Sequence, residues 1–280
     1  MPPRPATGHL RLGPLRLEYH RYDGVAPDRP TLVLLHEGLG CVELWRDFPR
    51  RLAQSTGCPV LAYSRRGYGG SDGRPPPWPV TYMHEEGLEI LPRVLQAAGI
   101  GRAILVGHSD GASIALIHAG GTPARQILGL VLMAPHVFAE ELSLDSIRQA
   151  RVAYEEGDLR QRLARYHGDN VDHAFPGWNG AWLDPAFRQW NLEPYLPEID
   201  LPLLQIQGEE DQYGTRLQLE TIAARVRGPV TTRLLPGCRH APHLDRPQET
   251  LDAIAPFVAR LTTGAVQTGP GAAPPGTTTG

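Results

Sequence analysis

This chain of 280 residues contains no lysine; all 27 of its basic residues are arginine. The absence removes lysine as a Schiff-base nucleophile or general base. Cysteine is scarce too. Cys41, Cys58 and Cys238 are too few and too scattered for a disulfide framework, and none has a partner at metal-ligand spacing. No basic cluster accompanies the net charge of -3, so nucleic acid is not an expected partner. No apolar run approaches the ~20 residues needed to span a bilayer. The opening Met1-Pro2-Pro3-Arg4-Pro5 lacks the apolar segment of a secretory signal. A cytoplasmic protein without a membrane partner is therefore expected.

What is present reads as an ordinary globular composition, 41% apolar and 20% charged, on a chain long enough to bury a sizeable core. Leu10-Arg11-Leu12 and Leu15 to Tyr19 alternate around Gly13-Pro14, as a hairpin does. Thr31 to Leu35, Val60 to Tyr63, Ala103 to Val106, Leu128 to Met133 and Leu203 to Ile206 are short apolar runs suited to strands covered on both faces. Val230 to Leu235 is a candidate last strand. Helical patterns fall between them, at Trp45–Ser55, Tyr82–Ala98, Ala112–His118 and Leu217–Val226, with Pro247–Leu261 closing the series. This alternation predicts an α/β fold with a mostly parallel sheet flanked by helices.

One stretch breaks the rhythm. Residues 136–198 contain no clear strand; they offer helical patterns at Ser146–Ala153 and Asp158–Tyr166, and three of the chain's five tryptophans. An aromatic-rich insertion of this length reads as a helical cap over a pocket, which makes Trp178, Trp182 and Trp190 candidate substrate contacts. The competing reading is an extra helical layer that packs a small core of its own. The expected division is thus a core of 1–135 and 199–261, a cap of 136–198, and a Gly/Pro/Thr-rich disordered tail of 262–280.

The chemistry centres on Gly107-His108-Ser109-Asp110-Gly111, directly behind the run Ala103 to Val106. A serine presented on a tight strand-to-helix turn needs unfavourable backbone angles, and flanking glycines let neighbouring backbone approach. Ser109 at a helix N-terminus would stand beside amides able to receive negative charge. Its hydroxyl is a poor nucleophile without a base, and the base needs an orienting acid. Asp211 fits the acid on the turn after Leu203 to Gly208, with Glu209 and Glu210 as competitors. His240 fits the base in Pro236 to His243, with His243 as its competitor. Gly38, or Leu39, in the turn His36-Glu37-Gly38-Leu39-Gly40 offers a second amide to join that of Asp110. The Asp110 backbone is expected to matter more than its side chain. His36 reads as a brace for that turn, and Glu37 as a solvated or substrate-polarising carboxylate.

On these residues the chain resembles the α/β-hydrolase superfamily over roughly residues 10–261. His36 to Gly40 is similar to its His-Gly-Gly-x-Gly turn, and Arg66-Gly67-Tyr68-Gly69-Gly70-Ser71 to its Arg-Gly-x-Gly-x-Ser turn. Ser109 lies in the nucleophile elbow, and His240 to Pro247 resembles the histidine loop. The departures are Glu37 for glycine, Ser64 where an aspartate often stands, and Arg239 where a glycine often precedes the histidine. The resemblance implies Ser109, Asp211 and His240 as catalytic residues, an oxyanion hole of the Gly38 and Asp110 amides, and no cofactor or metal. It implies a small-molecule substrate: a carboxylic ester, thioester or lactone of a small to medium apolar acid. Carbon–carbon hydrolysis of a diketone ring-cleavage product and a non-catalytic ligand receptor are the alternatives. Dehalogenases and epoxide hydrolases of this fold use aspartate where this chain has Ser109.

Overall fold

A computed structural model describes residues 5–25, 28–123 and 125–263. Eight strands form one sheet in the order β1-β2-β4-β3-β5-β6-β7-β8. β1 (Ala6–Leu12) and β2 (Leu15–Tyr22) are the hairpin, and β2 pairs antiparallel with β4 (Val60–Tyr63). β3 (Thr31–Leu35), β5 (Ala103–His108), β6 (Ile127–Met133), β7 (Leu203–Gly208) and β8 (Val230–Leu235) continue from β4 in parallel.

The apolar strand runs follow from double-sided burial. Val33, Leu35, Leu105, Leu130 and Leu132 point into one hydrophobic cluster, and Leu32, Leu34, Ile104, Val106 and Val131 into another across the sheet. The second cluster is closed by α1 (Phe48–Thr56) and α10 (Pro247–Thr263). The first is closed by α2 (Tyr82–Glu85), α3 (Leu91–Ala97) and α4 (Asp110–Gly121), together with the insert that follows β6. A π-helical turn, Glu86–Ile90, joins α2 to α3. Pro92, just beyond it, has no N–H to continue the α pattern.

Between β6 and β7 lie α5 (Glu141–Glu155), α6 (Leu159–His167), α7 (Val171–Leu183) and three 3₁₀ turns, Gly168–Asn170, Pro185–Gln189 and Glu193–Glu198. α8 (Arg216–Arg225) follows β7, and the short α9 (Pro242–Asp245) precedes α10. α7 has no counterpart in the sequence reading, because Pro176 and Gly177 stand in its middle. A helix-interior proline costs about 3 kcal/mol. Here Phe175, Trp178 and Trp182 are all buried on that helix, and Gly177 leaves room for the Trp78 ring, which a side chain would overlap. The expected tail is shorter at its start than the sequence implied, since Thr262 and Thr263 belong to α10; residues 264–280 lie outside the described residues.

Candidate active site

β5 runs directly into α4 through Ser109, which adopts φ 53° and ψ -118°. Left-handed backbone in a non-glycine residue costs of order 1–3 kcal/mol and persists only where its surroundings enforce it. Here they do. Ser109 N–H donates to Met133 O at 2.9 Å, and its carbonyl accepts from Ala112 N at 2.9 Å and Ser113 N at 3.1 Å. A side chain at Gly107 would overlap the backbone of Gly111 and Ala112, and one at Gly111 the carbonyl of Leu35. The two glycines of the motif are thus set by backbone contact, and the turn projects Ser109 into a cavity.

That cavity has a volume of about 180 Å³. Glu37, Gly38, Leu39, Ser109, Asp110, His136, Ser143, Ile147, Trp178, Trp182, Tyr213 and His240 line it. Residues that follow five strands, β3, β5, β6, β7 and β8, and residues from α5 and α7 of the insert therefore meet at one place. Of the three tryptophans expected to touch substrate, Trp178 and Trp182 do line this space. Trp190 does not. It stacks on Phe187 at 5.1 Å behind Trp182, and all three rings belong to the hydrophobic cluster on that face of the sheet.

On the far side, Asp211 Oδ1 lies 2.8 Å from His240 Nδ1. Asp211 is anchored further by Tyr213 N–H at 2.8 Å and Gln207 Nε2 at 3.1 Å. Burial alone would raise its carboxyl; the His240 charge and hydrogen bond, with the Tyr213 amide, overcome that and hold it well below the usual carboxylate range. With Nδ1 engaged, Nε2 is the imidazole nitrogen left for Ser109. No hydrogen bond joins it to Ser109 Oγ among the described residues. Such contacts are often long before substrate is bound. Glu209 and Glu210 face solvent, and Glu209 reaches Arg216 at 3.2 Å. His243 is buried against Trp45 and Phe48 at 4.7 and 5.5 Å and does not line the cavity. His136 does line it, but burial, helped by His240, pushes its imidazole down to about 3.

The turn after β3 is braced as its histidine implied. His36 Nδ1 donates to Glu37 O at 2.7 Å and Nε2 accepts from Arg65 N–H at 3.0 Å, and burial keeps the ring neutral. Gly38 belongs here by contact, because a side chain on it would overlap the Trp178 indole. Neither the Gly38 nor the Asp110 N–H has a protein partner among the described residues.

Several contributors escaped the sequence reading. Arg65, its side chain 1% exposed, donates to the carbonyls of His36 and of Glu37 (3.0 Å to the latter) and lies 3.9 Å from Asp110 Oδ2. Tyr82 OH donates to the same Asp110 oxygen and accepts from Trp182 Nε1 at 3.0 Å. The Asp110 side chain thus joins the elbow to the turn after β3, through Arg65, and to α7, through Tyr82. Burial raises its carboxyl, and Arg65 and Tyr82 pull it back. The Arg65-Arg66 pair was a signal that went unused: Arg66 fits the family turn, whereas its neighbour performs the buried role. Ser64 likewise donates to Glu18 Oε2 at 2.8 Å and accepts from Val42 N at 3.1 Å, so Glu18 supplies from β2 the carboxylate that position 64 lacks.

A family model described as the Alpha/beta hydrolase family matches residues 32–253, which take in every residue lining the cavity, with Asp211 and Arg65 behind it. The chain belongs to that family. This α/β hydrolase is 24% identical over 289 residues to Epoxide hydrolase 3 of Xenopus tropicalis, a match covering 90% of this chain and 77% of that protein. It is 25% identical over 212 residues to the sn-1-specific diacylglycerol lipase ABHD11 of Danio rerio. That match covers 75% of the hydrolase but only 60% of the lipase, less than two thirds of its length. The crystal structure of proline iminopeptidase from Mycobacterium smegmatis aligns with a TM-score of 0.74 at 19% identity, covering 93% of this chain and 100% of that one. That likeness concerns fold alone. Among the described residues no helix is long and apolar enough to cross a membrane, and no group of His, Cys, Asp or Glu is arranged to hold a metal ion.

Proposed function

We propose that this α/β hydrolase is a serine esterase, cleaving a carboxylic ester, thioester or lactone of a small to medium apolar acid through an acyl-enzyme. The observation that carries the reading is the 2.8 Å Asp211–His240 contact, which commits Nδ1 and leaves Nε2 for a serine held at φ 53° on the same cavity. Ser109 Oγ attacks the carbonyl carbon as His240 Nε2 takes its proton. The Gly38 and Asp110 amides receive the oxyanion, each donor lowering the barrier by roughly 3 kcal/mol. Collapse breaks the carbon–oxygen bond, and His240 returns the proton to the leaving alkoxide. Water, deprotonated by His240, then releases the acid. Residues 136–198 serve as the cap, with Trp178 and Trp182 as apolar walls.

A backbone-strained serine opposite an Asp-oriented imidazole supports catalysis over mere ligand reception, since a receptor gains nothing from either. Serine in place of the aspartate nucleophile argues against epoxide or haloalkane chemistry. Turnover of p-nitrophenyl acetate and butyrate by the protein and by Ser109→Ala tests the reading: activity should vanish in the variant. No turnover of any ester in a broad panel, with tight ligand binding, would replace it by the receptor reading.

A further inference from the structure

The cavity carries its charge unevenly. One carboxylate, that of Glu37, is presented to it; Asp110 also borders it, but its side chain is 1% exposed and turned to Arg65 and Tyr82, no arginine lines the cavity, and the chain has no lysine. The cations belonging to these carboxylates lie behind them. Arg65, 3.9 Å from Asp110, is buried and does not line the cavity. His108, 3.4 Å from Glu37 Oε2 through Nδ1, is also buried and also outside the lining.

The protonation of His108 follows from its partners. Its Nε2 lies 2.7 Å from the carbonyl oxygen of His240. A carbonyl only accepts, so Nε2 carries a proton; Nδ1 faces a carboxylate oxygen, which accepts as well. The ring satisfies both sides only as an imidazolium, and this requires an ionised Glu37. Burial opposes both charges, yet Glu37 and the His240 carbonyl raise the imidazole, and the His108 hydrogen bond and charge lower the carboxyl. Glu37 folds over its own turn: a Cβ on Gly40 would stand 2.5 Å from Oε2. Oε1 makes no hydrogen bond among the described residues, and the side chain is 27% exposed where it meets the cavity.

We propose that Glu37 is a specificity-determining residue: it sets the cavity to favour acyl groups bearing an ammonium and to reject acyl groups bearing a carboxylate. The serine-hydrolase reading is needed only to say which group is the acyl. An anion entering the cavity meets the Glu37 carboxylate before its His108 partner, which lies behind it and outside the lining, and specificity by repulsion needs no added contact. An ammonium meets the opposite field.

The test compares three methyl esters by titrating released acid at pH 7: methyl 4-aminobutyrate, methyl butyrate and monomethyl succinate. The expected kcat/KM falls in that order, spanning roughly a hundredfold, and Glu37→Gln compresses the span by about tenfold, through KM more than kcat. Monomethyl succinate cleaved as well as methyl butyrate, or a span unchanged in Glu37→Gln, overturns the proposal while leaving the esterase intact. If none of these three esters turns over, binding replaces turnover as the readout. Calorimetry of Ser109→Ala with 4-aminobutyramide, butyramide and succinamate then decides: the same order of affinities supports the proposal, and equal, reversed or absent binding refutes it.

Discussion

Arg65 offers the sharpest test of how the site is held together. Replacing it with leucine removes a guanidinium that is 1% exposed, leaving Asp110 as a buried carboxylate without its cation and two carbonyls, of His36 and Glu37, without their donor. Stranding one partner of a buried pair costs about 3–5 kcal/mol. For a chain of this size that lowers Tm by roughly 6–20 °C. Asp110→Asn added to Arg65→Leu removes the stranded charge while keeping an acceptor for Tyr82, so the double variant should regain about 1–2 kcal/mol over the single one. The carbonyl loss, on the order of 1–3 kcal/mol, should remain. Urea denaturation of the four proteins of this cycle measures the coupling directly. Arg65→Leu costing under about 1 kcal/mol, or a double variant no better than the single, would refute the ion-pair argument.

Other outcomes follow from the same geometry. Glu86, buried on the π turn, has its carboxyl raised to about 7, chiefly by burial and against the pull of Arg65. A raised folded value means stability present below the unfolded pKa near 4.5 and lost as pH climbs through about 7. Glu86→Gln should therefore be more stable than the parent at pH 8, by up to roughly 3 kcal/mol, and no better at pH 4; equal melting curves at pH 8 would contradict this. Gly38→Ala should collide with the Trp178 indole and depress kcat/KM, with partial recovery when Trp178→Ala is added; failure of the pair to recover would place the damage elsewhere. Asp211→Asn should lower kcat by about 10⁴ with the fold intact, because the imidazole loses its orienting acceptor. Glu210→Gln, on the solvent side, should change little, and the opposite ranking would reassign the acid.

The sheet was legible because its strands are buried on two faces, and continuous apolar runs as short as Thr31–Leu35 and Ala103–Val106 suit a covered strand far better than a helix. The elbow was legible because Gly107 and Gly111 are demanded by backbone contact rather than by chemistry. α7 was not, since Pro176 and Gly177 argue locally for a break and only the burial of Phe175, Trp178 and Trp182 reverses that argument. Trp190 was misplaced because an aromatic signal does not say whether a ring faces a cavity or another ring. Arg65 and Tyr82 were invisible for a different reason: their roles arise from contacts 28 residues or more distant in the chain, which no local pattern encodes.

The central claim is that Ser109 is made reactive by His240. Labelling with a fluorophosphonate, followed by peptide mapping, tests it without knowledge of the substrate. A single adduct is expected on the peptide containing Ser109, formed rapidly by the parent protein and suppressed by orders of magnitude in His240→Ala. An unlabelled Ser109, or labelling at the same rate without His240, would contradict it.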